Sequence, residues 1–172
     1  SNEVGQLSNQ NIERKLIKRG NVNIEVQNLK NAQESVEKWC KDFGGYIESF
    51  SENTNSANFN LRIPSVKFDE ALNSVGGFGT VKSKNISTQD VSEQFYDLQT
   101  RLETKKIMRD RLKNYLTQAK DVKDMLQIEK ELNNALSEIE SMEGRMKRLS
   151  GQIEYSSVNI FLELPYRISD EG

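Results

Sequence analysis

The sequence predicts an α+β fold: a ferredoxin-like split βαβ sandwich (β-α-β-β-α-β) with a long antiparallel helical hairpin inserted before a final β-strand. Three observations carry this. Apolar residues alternate with period two in short stretches near both ends. All ten glycines lie within 5–79 or 144–172, and the two prolines are Pro64 and Pro165, so residues 80–143 contain neither. That middle stretch is charged, rich in helix formers and apolar at three- and four-residue spacing. The expected organisation is a flexible N-terminal segment over 1–11, a sandwich domain over 12–89 and 152–165, a coiled-coil hairpin over 90–151 and a C-terminal linker over 166–172.

The elements follow in order. Leu16, Val22, Ile24 and Val26 share one parity, with Asn21, Asn23 and Glu25 on the other, which predicts a strand with one wet face. Ala32, Val36, Trp39, Cys40 and Phe43 fall on one helical stripe, and Gly44-Gly45 end that helix. YIESFS is a second strand with SENTNS as its turn, and Ala57, Phe59, Leu61 and Ile63 alternate inward along a third. Ser65 is expected to cap a second helix that buries Phe68, Leu72 and Val75, and GGFG to stop it. TVKSKNIS is the fourth strand.

Asp90-Val91-Ser92-Glu93 looks like a capping box. Beyond it Val91, Phe95, Leu98, Leu102, Leu112, Leu116 and Ala119 form a seam, broken at Lys105 and Arg109. Asp121 with Asp124 restarts a helix. Val122, Met125, Leu132, Leu136, Ile139, Met146 and Leu149 continue the seam, with Glu129 and Glu143 as polar intrusions. A link this short makes the helices antiparallel neighbours. Folding about 120–121 puts Leu116 near Met125, Leu102 near Ile139 and Arg109 near Glu129, a charged pair expected to fix register. The last strand has Val158, Ile160, Leu162 and Leu164 on one face, with Ile153 and Tyr155 on the other parity, so a bulge near Ser156-Ser157 is expected. Pairing that strand antiparallel with strand four gives a sheet order of 5-4-1-3-2.

Composition limits the chemistry. Leu, Ile, Val and Phe make up about a quarter of the chain, above the roughly 20% floor below which disorder is expected. Lys plus Arg number 24 and Asp plus Glu 26, a net charge of −2 that argues against a nucleic-acid partner. No apolar run approaches the ~20 residues of a membrane helix. No signal peptide is recognisable, and Ser1-Asn2 reads as an expression scar. With no histidine and the single cysteine Cys40, neither a Cys-His dyad nor a Ser-His-Asp triad can form, and zinc lacks its usual ligands. Cys40 reads as a buried structural thiol.

Gly76-Gly77-Phe78-Gly79 ends a helix before a strand, the reverse of a phosphate loop. The basic run Lys105, Lys106, Arg109, Arg111 and Lys113 reads as a solvated helix face, since residues 91–150 carry 12 basic and 11 acidic side chains, interspersed. Acidic pairs of the glycosidase kind are not singled out. The expectation is no enzyme, with no catalytic, cofactor-binding or metal-ligating residue. Ile107, Met108 and Ile128 are the apolar stripe that a second copy would cover.

RKLIKRGNVNIEVQN, FGGYIES, NLRIPSVKFDEAL, ISTQDVSEQFYDLQTRLE and VKDMLQIEKELNNALSEIESMEGRMKRLSGQIEYSSVNIFLEL occur in that order. Together, over about residues 12–164, the chain resembles the bacterial family of domain of unknown function 4349. The resemblance implies an extracytoplasmic envelope protein, tethered to the membrane by a lipoprotein-type signal or a C-terminal helix outside the present sequence. The missing catalytic constellation and the long hairpin add the expectation of a protein-interaction or spacer module whose partner is another envelope protein, and the stripe of Ile107, Met108 and Ile128 adds self-association through the hairpin. The alternative is the sensor domain of a transmembrane regulator that binds a small envelope ligand or peptide in an apolar cleft. No cofactor and no catalytic residue come with the resemblance. Gly44-Gly45, Pro64, Gln94, Asp97, Glu129 and Arg145 carry structural readings only.

Overall fold

The computed structural model describes residues 12–166. The expected flexible segment 1–11 and residues 167–172 of the expected linker lie outside the described residues. The described residues form a mixed α+β structure with a five-stranded sheet and four helices. Two compact units divide it, one holding residues 16–89 and 152–166, the other 12–15 and 90–151.

The sheet unit contains β1 (Leu16–Glu25), α1 (Leu29–Asp42), β2 (Tyr46–Glu52), β3 (Ser56–Pro64), α2 (Phe68–Asn73), β4 (Thr80–Asp90) and β5 (Tyr155–Glu163). Short 3-10 turns, Ser65–Lys67 and Val75–Gly77, flank α2. The strand order is β2-β3-β5-β1-β4. This corrects the expected 5-4-1-3-2: β5 does not pair with β4 at an edge. It lies between β1 and β3, parallel to β1 from Arg19↔Ser157 to Glu25↔Glu163 and antiparallel to β3 from Pro64↔Tyr155 to Ser56↔Glu163.

The reason is hydrophobicity. Val158, Ile160 and Leu162 are at most 1% exposed, whereas the polar TVKSKNISTQD of β4 is exposed over nearly its whole length. The most apolar strand takes the centre, and the polar strand with Lys82 and Lys84 takes the edge. The β3–β5 register runs without a shift, so no bulge forms at Ser156-Ser157. Ile153 belongs to the preceding helix, which removes the parity conflict. The irregularity lies instead in β2, between Ile47 and Ser49.

One face of the sheet forms the core. Val22, Ile24, Ala57, Phe59, Leu61, Ile63, Val158, Ile160 and Leu162 cluster with Val36, Trp39 and Cys40 of α1 and with Phe68, Ala71, Leu72 and Val75. The Asn28 side chain caps α1 by accepting from the Asn31 N–H at 3.0 Å. At its other end Gly44 N–H donates to Lys41 O and Gly45 N–H to Cys40 O, the paired bonds of a Schellman closure, with Gly44 at φ 77°. The Trp39 indole N–H donates to Ser74 Oγ at 2.7 Å, and its ring meets Phe43 and Phe78 edge-on. Ser65 does not cap α2. Its hydroxyl donates to Ile153 O at 2.6 Å and lies 2.9 Å from Ser156 Oγ, tying the start of β5 to the end of β3.

The helical unit contains α3 (Ser92–Gln118), and α4 (Val122–Glu154) runs from it into β5. At 27 and 33 residues they are about 40 and 50 Å long. On α3, positions 98, 102, 105, 109, 112 and 116 are buried or half-buried, and on α4, 125, 128, 132, 135, 139, 142, 146 and 149. The expected seam is therefore corrected on α4. Val122 is 67% exposed and Leu136 39%, while Ile128, Ala135 and Met142 take the inner positions. Glu129 and Glu143 are exposed neighbours of the seam, not intrusions into it.

Candidate functional site

At the start of α3, Asp90 Oδ1 accepts from the Ser92 N–H at 2.9 Å and from its hydroxyl at 2.6 Å. Ser92 Oγ in turn accepts from the Lys15 N–H at 2.7 Å, and Val91 N–H donates to Lys15 O. Arg14 stands 3.7 Å from the Asp90 carboxylate, and Lys15 Nζ lies over the Phe95 ring. Asp90 thus caps the helix through Ser92, two residues on, rather than by the three-residue spacing of a capping box. The two Ser92 bonds, with a smaller contribution from Arg14, hold the Asp90 carboxyl below its usual range.

A group whose folded pKa is lowered stabilises the fold at pH above the unfolded carboxylate value, and that contribution disappears as pH falls through the folded one. Asp90→Asn is therefore expected to weaken the acid-side loss of stability while keeping the oxygen acceptor. Thermal unfolding followed from pH 7 down through the carboxylate range checks this. Parallel curves for the two proteins would refute it.

Between the helices the charged contacts differ from expectation. Arg109 Nε bonds its neighbour Asp110 at 3.1 Å, and Glu129 is exposed. The helices are joined instead by Lys105–Glu138 at 2.6 Å and Lys106–Glu143 at 3.5 Å. Glu129 lies one position past the inner residue Ile128 and is exposed, and Arg109 pairs with Asp110 instead. Lys105 and Glu138 are 30% and 50% exposed, so a double-mutant cycle on this pair is expected to give a coupling of about 0.2–1 kcal/mol. The same cycle on Arg109 and Glu129 is expected to give none, and coupling there by chemical denaturation would refute the assignment.

The residues considered at the sequence level do not converge. Cys40 is 1% exposed in the core, and burial pushes its thiol pKa up, which makes it unreactive. Gly76 and Gly77 form the turn after α2. Ile107 and Met108 are 49% and 41% exposed, but Ile128 is half-buried in the seam and is not part of their stripe. Beside the α3–α4 turn, Tyr115, Asp124, Gln127, Ile128 and Glu131 line an open depression of ≈ 380 Å³. Among the described residues no group of three His, Cys, Asp or Glu side chains is placed to hold a metal, and no helix is long and apolar enough to cross a membrane.

An array of polar side chains lies on the sheet face opposite the core. Strand pairing aligns Asn21, Asn159, Asn60 and Ser49 in one row across β1, β5, β3 and β2. The next row holds Asn23, Phe161, Asn58 and Ser51, and on the other side lie Arg19, Ser157, Arg62 and Tyr46. Asn159 Nδ2 lies 3.0 Å from Asn58 Oδ1, 2.8 Å from Asn60 Oδ1 and 3.2 Å from Phe59 O, while Asn60 Nδ2 donates to Ser49 Oγ at 2.8 Å. Arg62 donates to Ser157 Oγ at 2.8 Å, and Tyr46 packs edge-on against Tyr155. The centre of this face is a depression of ≈ 510 Å³. Alternation puts Asn21 and Asn23 on a wet face but does not join them to Asn58, Asn60 and Asn159. The available signal was asparagine, a poor strand former, recurring at the outward parity of three strands.

An α+β domain of this order, a sheet with one open polar face and two long helices inserted before its last strand, defines a class but not an activity. The family model of the domain of unknown function DUF4349 matches residues 14–172, and the chain belongs to that family. No curated protein and no solved structure matches the chain.

Proposed function

We propose that this chain is the membrane-tethered extracytoplasmic domain of a bacterial envelope protein, working without catalysis as a protein-interaction or spacer module. The observation that carries this reading is the pair of helices, 27 and 33 residues long, on an α+β domain. Their three-four burial pattern and the ion pairs between them support an antiparallel coiled coil, a rigid element suited to spacing or to presenting a surface. The sheet unit reads as a ferredoxin-like 4-1-3-2 arrangement opened in the middle to admit β5. The partner is another envelope protein, and the exposed Ile107 and Met108 support self-association through the hairpin. Nucleic acid is not a partner on this reading, given the net charge of −2.

The test is protease accessibility of the native full-length protein in intact host cells, with membrane fractionation alongside. Cleavage from outside with retention in the membrane fraction is expected. Complete protection in a soluble fraction would remove the reading. The alternative, a sensor domain of a transmembrane regulator, draws support from the depression on the open sheet face. That depression is lined mainly by polar residues, not by the apolar cleft first expected of a sensor.

A further inference from the structure

We infer that the open face of the sheet is a binding site for a short neutral glycan, and this inference does not depend on where the protein resides. The argument starts from the residues. Five asparagines, at 21, 23, 58, 60 and 159, stand in two neighbouring rows on one face. Asparagine is disfavoured in strands, where threonine, valine or tyrosine would serve better. Residues that break a local rule in this way mark functional sites.

The chemistry of the face selects the ligand. A carboxamide carries donors and an acceptor, and a sugar hydroxyl is likewise both. The Asn159–Asn58–Asn60–Ser49 bonds hold these amides in fixed positions, which lowers the ordering cost of binding. With strands about 4.8 Å apart, the row from Asn21 to Ser49 spans about 14 Å, the reach of a short oligosaccharide. The depression of ≈ 510 Å³ has the capacity of a small-molecule site, and seven of the ten residues that line it are polar. Tyr46 and Tyr155 stand at the end of the face and can stack on the apolar side of a sugar ring.

Other occupants fit less well. An extended peptide adds at a strand edge through backbone bonds, whereas here the backbone of β1, β5 and β3 is already paired on both sides. A polyanion needs a basic field, and the one arginine lining this depression, Arg19, is accompanied there by Glu48.

The experiment titrates the full chain with three neutral trisaccharides, triacetylchitotriose, cellotriose and maltotriose, and follows the side-chain amide signals by NMR. A sulfated heparin trisaccharide and an extended neutral peptide are the comparators. At least one neutral sugar is expected to shift the amides of Asn21, Asn60 and Asn159 in a saturable way. Asn21 is exposed and makes no side-chain bond within the face. Asn21→Thr is therefore expected to keep or raise the melting temperature while weakening that sugar about tenfold, the effect of losing roughly one hydrogen bond.

Absence of shifts with all three sugars at millimolar concentration would overturn the inference. So would shifts at these amides from the heparin fragment or the peptide alone. A lowered melting temperature with unchanged sugar binding in Asn21→Thr would make the row structural instead.

Discussion

Phe59→Ala is expected to destabilise the sheet unit by about 3–5 kcal/mol, the range for deleting a fully buried aromatic side chain. Phe59 is 0% exposed and sits on β3, the strand that pairs with both β2 and β5. It stands opposite Ile160 on one side and Phe50 on the other, with the Phe50 ring centroid 4.7 Å away. Its neighbours belong to paired strands and cannot collapse into the space, so the cavity term adds in full to the lost transfer energy. Phe50 is the internal control. It touches Phe59 but is 42% exposed on an edge strand, so Phe50→Ala is expected to cost about a third as much. Trp39 is the single tryptophan and packs in the core of the same unit, so its fluorescence reports this unfolding directly. Urea titration should lower the midpoint of Phe59→Ala strongly with little change in slope. A loss below about 1 kcal/mol would mean that the β3 core does not carry the stability of the unit.

The difference between Phe59 and Phe50 also shows what a linear reading can and cannot reach. Alternation along a strand gives the inward parity, and Ala57, Phe59, Leu61 and Ile63 are all buried as their spacing requires. Periodicity likewise gives the helices and their breaks, because Gly, Pro and capping residues act within a turn of where they stand. Strand order is a different matter. It depends on which long-range pairing buries most apolar surface, and β5, some 130 residues from β1 along the chain, inserts beside it. The contrast between VNIFLEL and the polar TVKSKNISTQD carries the signal, and it outweighs the tendency of a returning chain to pair with the strand it left.

The same limit applied on α4. Leu136 looked like a seam residue because it is large and apolar, yet the small Ala135 is the one that faces inward. Side-chain size misled where phase would have decided, since the inner positions repeat as 125, 128, 132, 135 and 139. The open sheet face was half legible. Each asparagine was visible in its strand, but only the register joins Asn21, Asn159 and Asn60 into a row.

Gly45→Ala is expected to be more damaging than Gly44→Ala, the reverse of what backbone dihedrals alone suggest. Gly44 has φ 77°, a conformation that disfavours a side chain, yet a Cβ there meets nothing nearer than Pro64 Cγ at 3.6 Å. Its cost is that of holding alanine in the left-handed region, about 1–2 kcal/mol. Gly45 has no positive φ, but a Cβ on it would lie 2.5 Å from the Arg62 carbonyl oxygen, 3.0 Å from Cys40 Sγ and 3.0 Å from Ile63 Cγ1. The first of these is backbone of β3, the second the core thiol of α1 and the third a fully buried side chain. None is the free end of a flexible chain. Relief requires β2 to pull away from β3 at its first rung, Tyr46↔Arg62, or α1 to lift from the sheet. Either response breaks hydrogen bonds or opens the core, and the expected loss is about 3 kcal/mol or more, at the upper end of overpacking effects. Urea titrations of both variants, read by Trp39 fluorescence, decide the order. A larger loss for Gly44→Ala would show that the turn, and not the close approach of β2 to β3, is what requires glycine here.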